Sequence, residues 1–123
     1  MGERADRQCR KVSHIRTIRE SAKMIKIKND KEIASMRIAG AVANTVLKEA
    51  AAFIQPGVTT REIDEYAGER IKVYQAKSAF LGYKGYPCNI CISVNEEVVH
   101  GLAGPRRIQF GDIISLDLSL IHI

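Results

Sequence analysis

At 123 residues, with 46% hydrophobic and 27% charged side chains, the chain has the length of at most one domain and enough apolar content for an ordinary core. That balance excludes a coiled coil, a collagen-like repeat and a low-hydrophobicity disordered chain, and three cysteines are too few for a disulfide-stapled mini-protein. No apolar run approaches the roughly 18 residues of a membrane span, and the arginine-studded start lacks the apolar stretch of a secretory signal, so a cytoplasmic, reducing compartment with no membrane partner is expected.

The net charge of +5 suggests nucleic-acid or membrane binding until it is located. Residues 1–23 carry seven basic and three acidic side chains, or +4, and the other hundred residues carry only +1. The basic character therefore belongs to a leader, 1–23, that ends just before Met24. Met24 is a candidate true start, with 1–23 then upstream sequence that is not native to the protein. A basic arm that touches RNA or ribosome is the alternative, and a transit peptide is disfavoured by Glu3, Asp6 and Glu20.

From Asn29 a helix is well signalled. Asn29 is the N-cap, Glu32 its capping-box partner, and Ile33, Met36, Gly40, Ala43, Leu47, Ala50 and Ile54 follow at spacings of three and four. Gln55-Pro56-Gly57 stops it. A second capping box, Thr59 with Glu62, opens a helix whose stripe is Ile63, Tyr66, Ala67, Ile71 and Tyr74. Cys88–Val94 and Val98–His100, separated by Asn95-Glu96-Glu97, read as a β-hairpin. After the turn signal Gly104-Pro105, Ile113–Asp117 reads as a further strand. Helices first and strands afterwards predict an α+β packing, two helices on a hairpin and a strand.

Several residues are placed to carry chemistry. Cys88-x-x-Cys91 has the spacing of a redox pair or half a zinc site, but residues three apart in a strand face opposite ways and no second Cys pair completes a zinc cage. Cys91 reads better as a small, soft wall residue. His100 ends the second hairpin strand beside Gly101, where a structural and a catalytic histidine are both open readings. Asp117 closes an apolar strand on the face of Ile113 and Ser115. A carboxylate buried there needs a partner or a metal, whereas one just past the strand end is merely solvated. Phe80-Leu81-Gly82-Tyr83-Lys84-Gly85-Tyr86-Pro87 gathers three of the chain's seven aromatics on a glycine-hinged loop, suited either to an apolar side-chain pocket or to tucking into the core.

Phe80–Pro87, Cys91–Gly101 and Gly111–Asp117, with Met24–Lys28, Met36–Gly40 and Pro56–Thr60, together closely resemble type I methionine aminopeptidase of the bacterial kind over Met24–Asp117. Leu102-Ala103-Gly104-Pro105 departs from that family's shorter turn after the histidine. The resemblance implies the N-terminal part of a pita-bread fold and a dinuclear metallopeptidase that removes the initiator methionine from nascent polypeptides. It implies Asp117 as a metal-bridging carboxylate, His100 as the catalytic imidazole that bonds the scissile amide, and Phe80, Tyr83, Tyr86 and Cys91 as the methionine pocket. Asn95 would sit by a monovalent cation through its backbone. The metals implied are two divalent ions (Co, Mn, Fe or Zn), which would supply a hydroxide at neutral pH. The partners implied are nascent N-termini and the ribosome, with a monomeric whole enzyme.

The family's other metal ligands, a second Asp, a His and two Glu, lie further along than this chain reaches. Divalent ions of this kind take about four to six ligands each, so residues 24–117 read as the N-terminal half of a catalytic domain that is inactive alone. Leu118–Ile123 resembles a translated transposon-end adapter and reads as a non-native tail, with natural strand continuation as the alternative. The rival functions are a noncatalytic pita-bread relative that binds RNA or protein, and a small nucleic-acid-binding module using the basic leader.

Overall fold

The computed structural model describes residues 25–122; the basic leader and the reading of Met24 as a start lie outside the described residues. Two helices form one layer: α1, Asp30–Phe53, and α2, Thr60–Val73. Both begin as the sequence predicts. Asn29 Oδ1 accepts from the Glu32 amide at 2.9 Å while Glu32 accepts from the Asn29 amide at 3.0 Å, and Thr59 and Glu62 repeat the exchange. Of the α2 stripe, Ile63, Ala67 and Ile71 are buried, Tyr66 stacks on Phe53 at 4.5 Å, and Tyr74 joins Arg70 on the Glu49 carboxylate.

The α1 stripe is corrected. Only Val46 and Ala50 of this helix are buried, and Ile33, Met36, Ile38 and Gly40 are exposed, because nothing in the second layer reaches the first three turns. No helix among the described residues is long and apolar enough to cross a membrane.

The β layer consists of two small antiparallel sheets. In one, β1 (Ala76–Ser78) pairs with β4 (Leu120–His122); in the other, β2 (Cys91–Val94) pairs with β3 (Ile114–Asp117). The predicted hairpin is therefore wrong in its partner. Val98–His100 forms no strand: Glu97 turns back on Val94, Val98 and Val99 are exposed, and His100 takes a φ of 57°, which breaks the extended backbone. Cys88 and Asn89 also lie outside the strand, and the residues read as a tail place Leu120–His122 in β4.

Ile92 and Val94, with Ile114 and Leu116 opposite them, face a core of Val46, Ala50, Ile63, Ala67, Ile71, Ile90 and Ile108. Burying each such side chain contributes about 1.5–3 kcal/mol. The other face of the same sheet carries Cys91 and Ser93 opposite Asp117 and Ser115. A loop staples the layers together: Thr60 and Arg61 amides donate to Arg106 and Gly104 carbonyls, and Gly57 and Val58 exchange bonds with Ile108. These bonds satisfy amides that the start of α2 would otherwise leave without partners.

The layers are joined most tightly at Asp64. This buried carboxylate accepts from the Asn89 and Ile90 amides at 2.8 and 2.9 Å and from Asn89 Nδ2 at 3.0 Å. Gly68, one turn on, leaves room for Asn89, whose Nδ2 would stand 2.8 Å from any Cβ there. Asp64→Ala is expected to lower unfolding free energy by about 3 kcal/mol, since it strands three donors. Urea unfolding followed by circular dichroism measures this, and a loss below roughly 1 kcal/mol would contradict it.

Candidate functional site

Phe80, Tyr83, Tyr86, Cys91, His100 and Asp117 all line one open pocket of about 520 Å3. Lys84, Gly85, Pro87 and Leu102 complete its wall. Three kinds of local structure deliver these residues. The aromatic loop closes on a 3-10 turn at Tyr83–Gly85, with Gly82, Lys84 and Gly85 at positive φ, so the rings of Phe80 and Tyr86 meet edge to face at 6.3 Å. Ser78 anchors the start of that loop by accepting from the Phe80 and Leu81 amides. Cys91 and Asp117 are direct cross-strand partners, which puts thiol and carboxylate on the same face of the sheet. His100 comes from the turn that replaces the expected strand.

The sequence leaves Asp117 either buried within its strand or solvated just past it, and the structure combines the two: Asp117 is the last residue of β3 and is exposed. The face of Ile113, Ser115 and Asp117 is exposed, because the sheet has its core on one side only. Asp117 is thus a hard oxygen donor opening onto the pocket beside His100. Among the described residues, no group of three or more His, Cys, Asp or Glu side chains converges to hold a metal ion.

Polar surroundings sort the remaining groups. Tyr86 Oη donates to the Gly101 carbonyl at 3.1 Å and reaches the Ile90 carbonyl at 3.4 Å. Burial, then the neighbouring Cys91, pushes its phenol well above the ordinary range, so it remains a donor. Burial likewise pushes the Cys88 thiol up, which makes it a poor nucleophile.

Asn95 lies away from the pocket, at φ 54° in the turn after β2. Its amide group donates to Asp112 at 2.9 Å and its oxygen accepts from the Ile113 amide at 2.9 Å, tying that turn to the start of β3. The Asn95 and Gln109 donors hold the Asp112 carboxyl below the usual range.

Sequence reasoning missed Lys84 and Leu102 in the wall and the supports behind it, Asp64 and Ser93, whereas Gly101 was marked by its place beside His100. Lys84 had a local signal, since it sits between the two tyrosines of the loop. The supports act through partners 8 to 26 residues away, with nothing local to mark them.

A sequence model of metallopeptidase family M24 matches residues 34–122. A methionine aminopeptidase of Clostridium acetobutylicum is 46% identical over 99 residues, covering 80% of this chain and 40% of that protein. Crystal structures of methionine aminopeptidase from Thermotoga maritima and Rickettsia prowazekii each superpose with a TM-score of 0.77, at 40% and 36% identity, over 80% of this chain and 40% of theirs. The chain therefore spans about 40% of the length of the relatives it matches, and its α+β architecture is the N-terminal part of their pita-bread fold.

Two outcomes follow from the electrostatics. A carboxyl whose folded pKa is depressed contributes stability above its unfolded value and loses it as pH falls through the folded one. Hence the Asn95–Asp112 tie should hold from neutral pH down to about 4 and release below, with a midpoint under 3.8 in the Asn95 side-chain amide signals; a midpoint at or above 3.8 would refute it. Cys88, buried with a raised pKa, should resist iodoacetamide at pH 7.5 until urea unfolds the chain. Peptide mapping that finds native Cys88 alkylated within minutes would contradict this.

Proposed function

The chain belongs to metallopeptidase family M24, and we propose that the whole protein removes the initiator methionine from nascent polypeptides. The observation that carries this reading is the convergence of an aromatic wall, a buried thiol, an imidazole and a carboxylate on one pocket. An apolar pocket with rings and a soft sulfur suits an unbranched thioether side chain. Its shape selects against bulkier residues by a few kcal/mol at most.

A metallopeptidase of this family works with divalent metal ions. Asp117 fits such an ion: it is a hard oxygen donor on an exposed sheet face, at the pocket wall shared with His100. Two ions of Co, Mn, Fe or Zn, when bound, supply hydroxide at neutral pH and polarise a peptide carbonyl. Asp117 would be one ligand to them, with the others coming from the remaining length that the relatives have. This chain's own residues do the rest. Phe80, Tyr83, Tyr86 and Cys91 seat the methionine side chain, and His100 hydrogen-bonds the scissile amide and handles its proton.

The Asn95 turn would offer its backbone carbonyl to a monovalent cation. Residues 24–117 would belong to the N-terminal half of the catalytic domain. The whole enzyme would act as a cytoplasmic monomer on chains emerging from the ribosome.

The test uses the whole protein, this chain with the remaining length, on a Met-Ala-Ser peptide. Methionine release should stop with a chelator and return with added divalent metal. Asp117→Ala should reduce release to background, and His100→Ala should lower kcat by about 10²-fold or more. Residues 24–117 alone should release none. Chelator-resistant cleavage, or full activity of Asp117→Ala, would overturn the reading.

A further inference from the structure

His100 stands on strained backbone. Its φ of 57° is in the left-handed region that a residue with a Cβ occupies only when its surroundings impose it. Its side chain is exposed, and among the described residues no hydrogen bond reaches the imidazole. What holds it is the next peptide. Gly101 is buried, its amide donates to Ser93 Oγ at 3.0 Å, and its carbonyl accepts from the Ile92 amide and from Tyr86 Oη, both at 3.1 Å. The peptide is pressed so close to β2 that a Cβ on Gly101 would lie 2.1 Å from the Ile92 carbonyl oxygen.

Ser93 itself is 3% exposed, on the pocket face of β2 two residues beyond Cys91. A serine buried in a strand otherwise made of Cys, Ile and Val costs stability unless its hydroxyl is used, and its recorded use is to receive Gly101.

We propose that Ser93, together with the Tyr86 hydroxyl, is a positioning residue for His100, clamping the Gly101 backbone so that the imidazole is held at the pocket before substrate arrives. The clamp grips Gly101 on both sides of its Cα, holding the N–H of the peptide that joins it to His100 and the C=O of the peptide that follows, which fixes the residue's orientation as a single bond does not. Removing the Ser93 hydroxyl leaves a buried N–H without a partner, and the strained His100 backbone is then free to relax toward extended φ. This inference rests on the reading of His100 as the group that meets the scissile amide.

The test is a double-mutant cycle in the metal-loaded whole protein with the Met-Ala-Ser peptide. Ser93→Ala should lower kcat roughly 10-fold with KM within about twofold, since misplacement by an ångström is costly in the reaction and cheap in binding. Ser93→Thr, which keeps the hydroxyl, should restore most of that loss. In the His100→Ala background Ser93→Ala should change kcat by less than about twofold, because the two residues act as one unit. An equal loss in both backgrounds, or wild-type kcat in Ser93→Ala, would overturn the clamp.

If Ser93→Ala fails to fold, Tyr86→Phe removes a single hydroxyl and must show the same dependence on His100. Independently of activity, the His100 Cε1–Hε1 NMR signal should move in Ser93→Ala and return in Ser93→Thr, and an unmoved signal would equally overturn it. Absence of methionine release by the wild-type protein would instead defeat the reading of the site, and the NMR comparison would still decide the clamp.

Discussion

Asp64 projects a buried carboxylate from the middle of α2 onto the two amides that lead into β2. A charged group so placed is stable only because three donors meet it. The consequence reaches across the fold. The amides of Asn89 and Ile90 are committed to the helix and unavailable to a ladder, and β2 begins at Cys91. That start sets which residues face the core and which face the pocket. Shifting the strand by one residue would turn Ile92 and Val94 toward the pocket face and swing Cys91, the partner of Asp117, into the core.

The sheet that follows has unlike faces. Ile92, Val94, Ile114 and Leu116 supply the adhesion of the two layers, and Cys91, Ser93, Ser115 and Asp117 make the opposite face, of which Cys91 and Asp117 line the pocket. On that face the β2 half is covered, by Tyr86 and the Gly101 turn, while the β3 half is open. The same pairing therefore gives a dry, soft end at Cys91 and a wet, hard end at Asp117. A side chain to be gripped and an ion to be bound need those two environments side by side.

Local chemistry was legible in the sequence and pairing was not. Both helix starts rest on capping boxes that involve residues three apart, and both were readable. The aromatic loop was readable from glycine spacing and ring clustering. The partner of β2 was not, because Val98–His100 has strand composition and lies nearer in sequence than β3. What diverts it is the left-handed His100 and the close approach of Gly101 to Ile92, neither visible as composition. The three-residue strands β1 and β4 fall below any periodicity. Asp117 was placed on the right face and its environment was left open, since alternation tells which residues share a face but not which face is covered.

The roles proposed for His100 and Asp117 call for different kinds of support, and the fold provides them. Asp117 sits on a regular strand whose backbone bonds to β2 fix it within a ladder. His100 is carried by irregular backbone, where β2 offers only the Ile92 amide and side-chain hydroxyls do the rest. A metal ligand tolerates a strand end because the ion itself completes its geometry. A proton-handling imidazole has no such organiser, so its position must be imposed by the protein beforehand. On that reading the strain at His100 has a use: a turn relaxed enough to need no clamp would leave the imidazole free to wander from the pocket it lines.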